Sequence, residues 1–516
     1  MNQAIPDWMG IGATLFLIVG FIVQAVHRRR QPASRPSAAS RIDPLDWTVF
    51  RWTDRDFFSW RDLLKSVLCL GATGSGKTSS VAKLMIESII CKPPNLMYPR
   101  AALLGLAAKP EDVHDWKRHF ARAGRAEDLL IFAPGSGLCF NVLDYIVKCG
   151  GSCRDITRCL IAISETVRPK DGSGEDSKFF EDLQERIVYD AVVMLKLGTG
   201  GVNAPDLQRF LLGTANTPFE LTTEAWREGF QNQMIRRAVQ ANKTQAEVTD
   251  FEIAKGTFLS ELPALADKTR SSAMSGIMSW LHNVNTGIAR ELLTGETNIS
   301  PTTMLSQGKS ILVDAAPSIH GGNGSVVNAA VKWATQWSVL RREAKPTDFI
   351  SVIFVDEAQE FVNNMDSHYL AQCRSHLGCM IFLSQSRHGF YAAMGGDRGR
   401  HRTDALLANF NLKILNALGT PEDAEWASDL CGREMKTMFG GSVAPNDNLW
   451  DACFEQPKVS TNYSTQMDRI LEPNVFMHGL RTGGAANDYL VDAVIVKTGE
   501  SFSDGRNWMW ATLRQR

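Results

Sequence analysis

Apolar residues follow two rhythms along this chain, and their alternation predicts its architecture. Short unbroken apolar runs at Val67–Leu70, Ala102–Ala107 and Leu129–Phe132 have the length and turn-like borders of strands covered on both faces. After the first run, Val81, Leu84, Met85, Ile89 and Ile90 recur at helical spacing, which places an amphipathic helix between parallel strands. From about Lys170 to Ser300 the strand-like runs stop. There Phe180, Leu183, Ile187, Val188, Ala191, Val192 and Leu195 share one helical face, and Ile277, Trp280, Leu281, Val284 and Ile288 share another, so an all-helical insertion is expected. Strand runs return at Ser310–Val313, Ser351–Val355, Met380–Leu383 and Leu412–Leu415. Thr420-Pro-Glu-Asp423 then carries the cap hydroxyl, first-turn proline and early acids of a helix start. The expected class is α/β with a mainly parallel sheet: an anchor at 1–27, a linker at 28–45, the first part of the sheet domain at 46–170, a helical insertion at 171–300 and the second part at 301–516.

The N-terminus follows neither rhythm. Trp8–Val26 is a 19-residue stretch interrupted by Gln24, which as a helix would span ~28 Å, close to the hydrocarbon thickness of a bilayer. Neither of its faces is polar, as a buried amphipathic helix would require. No Lys or Arg precedes it and His27-Arg28-Arg29-Arg30 follows. That is the reverse of a signal peptide, and it predicts a single pass through the bacterial inner (cytoplasmic) membrane with the bulk of the chain in the cytoplasm. Gln31–Ser40, rich in Pro, Ser, Ala and Arg, reads as a tether.

Composition adds limits. A hydrophobic share of 44% in 516 residues is ample for a core, and 55 Lys and Arg against 56 Asp and Glu leave no global charge to attract nucleic acid. Any such contact has to come from a local basic surface or a ring of subunits. The ten cysteines are scattered without a C-x-x-C set, so they read as reduced thiols.

The chemistry concentrates after the first strand. Gly71-Ala72-Thr73-Gly74-Ser75-Gly76-Lys77-Thr78 fits G-x-x-x-x-G-K-[ST] between a strand and a helix, the setting a P-loop needs. Its glycines turn backbone N–H groups toward phosphate oxygens, and the helix N-terminus adds its dipole. Lys77 would hold the β- and γ-phosphates of ATP, Thr78 would ligate Mg²⁺, and Ser79 completes the nucleotide-binding stretch. Hydrolysis also needs a carboxylate near the metal and a group that orients water. The strand ending in Asp356-Glu357 offers both, Asp356 for the metal and Glu357 for the water. Gln385, at the tip of the next strand, can contact the γ-phosphate or the water. Arg374 is a candidate cation for a neighbouring subunit's phosphate, or simply solvated surface.

Taken together, these residues resemble the coupling-protein ATPases of type IV secretion and conjugation (TraG/TraD-like), within the FtsK/HerA branch of RecA-fold P-loop motors. Leu103-Leu-Gly-Leu-Ala-Ala-Lys109 is similar to the family strand ending D-P-K, Phe140-Asn-Val-Leu143 to its F-N-P-L, Gln385-Ser386 to its Q-S, and Leu480-Arg-Thr-Gly-Gly484 more weakly to a C-terminal motif. Arg374 falls at the family's arginine-finger position. The resemblance implies a RecA-like P-loop domain and a membrane-anchored homo-hexameric ATPase. It would pump single-stranded DNA with its relaxase, or secreted proteins, into a channel whose inner-membrane components it contacts. A double-stranded DNA translocase and an ATP-switched docking adaptor are the alternatives. Pore or substrate contacts are candidates at Arg398, Arg400 and Arg402, in a glycine-containing loop, and at Arg236, Arg237 and Lys243 in the insertion. Ala107-Ala108-Lys109 lacks the carboxylate of D-P-K, one membrane helix stands where many members have two, and Ala358-Gln359-Glu360 follows the acids in place of the commoner sequence.

Overall fold

The computed structural model describes residues 43–91, 100–167, 175–444 and 458–515. Its centre is a nine-stranded sheet built from β3 (Val67–Leu70), β4 (Ala101–Leu106), β5 (Leu129–Phe132), β6 (Ser310–Val313), β7 (Ile350–Val355), β8 (Gly378–Ser384), β9 (Leu412–Leu415), β12 (Leu490–Lys497) and β13 (Trp508–Arg514). The strand order is β13-β12-β9-β3-β8-β7-β4-β6-β5. Seven strands run parallel, and β12 pairs antiparallel with both β9 and β13. Two antiparallel ribbons complete the strands among the described residues: β1 (Thr48–Arg51) with β2 (Phe57–Ser59), and β10 (Arg433–Ala444) with β11 (Lys458–Arg469). The mainly parallel α/β class expected from the apolar runs is what forms.

Both faces of the sheet are covered, which is why its strands read as unbroken apolar runs. Successive residues alternate between two cores. Val67 and Cys69 join Val81, Met85, Ile89, Trp116 and Phe120 on one side. Leu68 and Leu70 join Phe382, Trp333 and the helical residues Ile187, Val192 and Trp280 on the other. No strand lies between Phe132 and Ser310 among the described residues; helices fill that crossover, among them Glu175–Thr199 and Asp267–Asn285. Their stripes expected from sequence, Ile187 through Leu195 and Ile277 through Val284, are buried. Gly105 in β4 shows how close the layers come, since a Cβ there would sit 2.5 Å from the Trp116 ring.

Among the described residues no helix is long and apolar enough to cross a membrane. This overturns the expected placement as a single-pass inner-membrane protein. The described helices spend their apolar faces on the chain's own cores; the helical run Pro317–Arg341 is broken by non-helical Gly321 and carries Asn328, Lys332 and Gln336 at buried positions. The stretch 8–26 on which that expectation rested lies outside the described residues. A second difference concerns the basic candidates at 398–402. They stand on a helix, Gly396–Ala408, and not on a loop, with the Arg400 guanidinium 5.5 Å from the Tyr391 ring.

Candidate functional site

The P-loop follows β3 and is tied down on both flanks. Gly71 N–H donates to Ser384 O (3.2 Å) at the end of β8, and Ala72 N–H to Ala417 O (2.8 Å) just beyond β9. A Cβ on Gly71 would meet Ser75 Oγ at 2.5 Å and Asn416 Cβ at 2.9 Å, so glycine is needed for the loop to enter. Gly74 and Gly76 have φ of 79° and 81°, a left-handed turn that re-aims the following N–H groups into a concave nest. Among the described residues, the N–H groups of Gly74, Gly76 and Lys77 meet no backbone carbonyl. Buried Ser75 Oγ also has no partner. The helix then opens with a π-type turn, Thr78–Ala82, and continues as Lys83–Ile90.

Because β3 and β7 flank β8 in the sheet, the acids after β7 come back to the loop. Thr78 Oγ1 donates to Asp356 Oδ2 at 3.0 Å, and buried Lys77 Nζ lies 4.0 Å from Asp356 Oδ1. Glu357 sits at φ 49°, a left-handed conformation costing a non-glycine residue about 1 kcal/mol. Such outliers persist where surrounding bonds over-determine them, as they do here. Gln359 Nε2 donates to Glu357 Oε2 (2.9 Å), Gln385 Nε2 to both carboxylate oxygens (3.2 and 3.3 Å), and Lys109 Nζ lies 3.4 Å from Oε1. Gln359 is held in turn by the Ser384 hydroxyl at 2.7 Å, and Gln385 Oε1 accepts from Thr73 Oγ1 at 2.8 Å. Burial pulls the Glu357 pKa upward, but the Gln359 bond, Lys77, Gln385 and Lys109 together outweigh it and leave the group below its ordinary value. Glu357 is therefore ionised at neutral pH and can only accept hydrogen bonds.

The donor set fits a magnesium-bound triphosphate. One hydroxyl and one carboxylate in contact are the hard oxygens Mg²⁺ takes, and the nest, Lys77 and the unpartnered N–H groups suit phosphate. Beside them opens a small cleft lined by Thr78, Lys83, Asp112, Trp116, His119 and Asp356. Asp112 Oδ2 accepts from Ala108 and Lys109 N–H, both at 3.0 Å. Burial, with Asp356 adding, lifts the Asp112 carboxyl to about 6.

Of the sequence candidates, Lys77, Thr78, Asp356, Glu357, Gln385 and Thr73 form one connected cluster, and Ser79 lies on the loop's helical side. Arg374 is not among them. It is exposed on the turn Cys373–His376, at the start of β8, whereas Gln385 follows its end. A seven-residue strand separates the two, roughly 23 Å. Arg236 and Arg237 are exposed, while Lys243 caps Val239 and Ala241 carbonyls and covers the Phe251 ring. The motif reading missed Gln359 and Asp112; only Gln359, a polar residue in the turn after the acids, carried a signal in the sequence.

Residues 351–478 match the family model described as the TraM recognition site of TraD and TraG. Among curated proteins none matches the chain in sequence. Among solved structures, the unbound bacterial conjugative coupling protein TrwBdeltaN70 matches with TM-score 0.58 and 14% identity, covering 91% of this chain and 88% of that one. Plasmid coupling protein TrwB in complex with ADP and Mg²⁺ matches with TM-score 0.56 and 14% identity over 89% and 87%. Its complex with a non-hydrolysable ATP analogue matches with TM-score 0.55 and 14% identity over 90% and 89%. In fold across most of its length the chain is similar to the conjugative coupling protein TrwB, and in sequence over residues 351–478 it is similar to the TraM recognition site of TraD and TraG.

Proposed function

We propose that this chain is a coupling ATPase of conjugative transfer or type IV secretion, which binds ATP with Mg²⁺ and uses hydrolysis to move a polymer substrate. The observation that carries this reading is the Thr78–Asp356 contact beside the Glu357–Gln385–Thr73 chain, a linked pair of P-loop and distal acids. Lys77 would neutralise the β- and γ-phosphates, and the metal, held by Thr78 and Asp356, would supply charge stabilisation at the transferring phosphoryl group. Ionised Glu357 would accept a hydrogen bond from the attacking water and orient it. Gln385, bonded to Thr73 on one side and Glu357 on the other, would sense the end of the nucleotide. Arg374, which faces solvent far from its own loop, would act on a neighbour's site in a ring of subunits, a hexamer by the resemblance. The cargo would be single-stranded DNA with its relaxase or a protein substrate.

Glu357→Gln tests this. Nucleotide binding should persist while turnover falls by about 10²-fold or more, as loss of a water-activating group does, and ATP should remain trapped. Undiminished hydrolysis would end the motor reading. Stimulation of the unaltered chain by single strands rather than duplex would separate a conjugative motor from a duplex translocase, and a DNA-insensitive rate would favour a docking adaptor.

A further inference from the structure

We infer that the C-terminal strand pair β12–β13 forms the nucleoside-binding wall of the site, with Gln515 as its key contact. This rests on the P-loop reading above. The sheet order supplies the direction. On one side of β3 stand β8 and β7, which carry Gln385, Asp356 and Glu357; on the other stand β9, β12 and β13. A triphosphate whose γ end meets the acids runs back across the loop, so its sugar and base emerge toward β9, β12 and β13.

There the chain closes on the loop. Gln515 follows β13 and is fixed by three hydrogen bonds: its N–H to Tyr489 O (2.7 Å), its Oε1 from Gly484 N–H (2.8 Å), and its Nε2 to Ser79 Oγ (2.7 Å). Ser79 follows Thr78 at the first turn of the helix, where it would face the phosphate nearest the sugar. The approach is close: a Cβ on Gly76 would fall 2.5 Å from Val491 Cγ2 and 3.3 Å from Gln515 Nε2. The segment between Arg481 and Leu490 is bent by left-handed residues, Gly483 (φ 83°), Gly484 (73°), Asp488 (52°) and Tyr489 (58°), and its base is pinned by the Arg481–Asp492 pair. It presents Tyr489, 53% exposed, as an aromatic surface for a base. Phosphate groups alone do not distinguish nucleosides, whereas this wall has an amide, a hydroxyl and a ring with which to do so.

The test compares ligands with and without a nucleoside. Full-length chain and its Gln515→Ala and Tyr489→Ala variants are titrated calorimetrically, in Mg²⁺, with ATP and with inorganic tripolyphosphate. Each variant should weaken ATP by about 5- to 10-fold, the loss of one or two neutral contacts, while tripolyphosphate changes less than about 2-fold and the thermal midpoint is unmoved. Equal weakening of both ligands would reduce Gln515 to a brace for the P-loop, and no weakening of either would remove it from the site; each overturns the inference. Failure of the underlying P-loop reading has a different signature, in which the unaltered chain binds neither ligand, or Lys77→Ala still binds both.

Discussion

Arg481 illustrates what one side chain does for the site. Its guanidinium grips Asp492 with both ends, Nε to Oδ2 at 2.7 Å and Nη2 to Oδ1 at 2.8 Å. Burial alone would raise the Asp492 pKa, but the Arg481 fork, the Thr512 hydroxyl and the Arg481 N–H outweigh it and bring it to about 2. A carboxylate with a depressed folded-state pKa contributes stability present above its unfolded value, near 3.9, and lost as pH falls through about 2. Arg481→Ala strands that carboxylate in β12. The variant should be less stable than the parent at pH 7, by less than a fully buried pair would lose because Arg481 is exposed. The parent–variant difference in urea midpoint should shrink between pH 4 and pH 2. A pH-independent difference would mean the effect is packing alone. The same residue explains why β12 escaped the sequence reading: Asp492 interrupts the apolar run, and only its partner eleven positions earlier makes a buried acid acceptable.

At the scale of elements, the helical crossover carries a titration of the opposite sign. Asp190, on helix Glu175–Thr199, is buried and accepts from Thr257 Oγ1 at 2.7 Å. Burial, aided by Glu261 and Asp250 against the Thr257 bond and Arg186, raises its pKa to about 6. A carboxyl raised above its unfolded value contributes stability that is full below pH 4 and lost as pH climbs through 6. Asp190→Asn keeps the acceptor without the charge, so it should stabilise the chain at pH 7.5 by on the order of 2 kcal/mol and leave pH 4 unchanged. Denaturant midpoints at the two values check this, and equal shifts at both would refute it. Element type was legible wherever burial was two-sided or one-striped: β3, β5, β6 and β9 begin and end where the pattern puts them, and the helix after Thr420, whose hydroxyl accepts from Asp423 N–H, starts where its cap residues put it. The β10–β11 ribbon was not, because Met435, Phe439, Tyr463 and Met467 lie on its exposed surface and no core imposes a period on it.

For the whole molecule, the decisive question is whether sites are shared. Arg374 is exposed and remote from its own P-loop, so the finger role proposed for it would require another subunit. Arg374→Ala should leave nucleotide affinity intact and lower turnover by about 10³-fold, the scale of an arginine finger. Mixing it with Glu357→Gln should restore part of the rate, since some junctions then pair an intact Glu357 with an intact Arg374. No recovery in mixtures, or a full rate in Arg374→Ala alone, would exclude a site completed in trans.

The sequence by itself determined the parallel sheet, the helical crossover and the chemical vocabulary of the site, because burial imposes periods of 2 and 3.6 and because phosphate and magnesium accept few residue types. Only tertiary structure decided what meets what. The partners of Glu357 come from 109, 359 and 385, the neighbour of Ser79 is Gln515 at the far end of the chain, and the carboxylate of Asp112 enters the cleft from a helix. Such contacts depend on strand order, which no local pattern encodes, since a strand's apolar run records that both faces are covered and not which strand lies beside it.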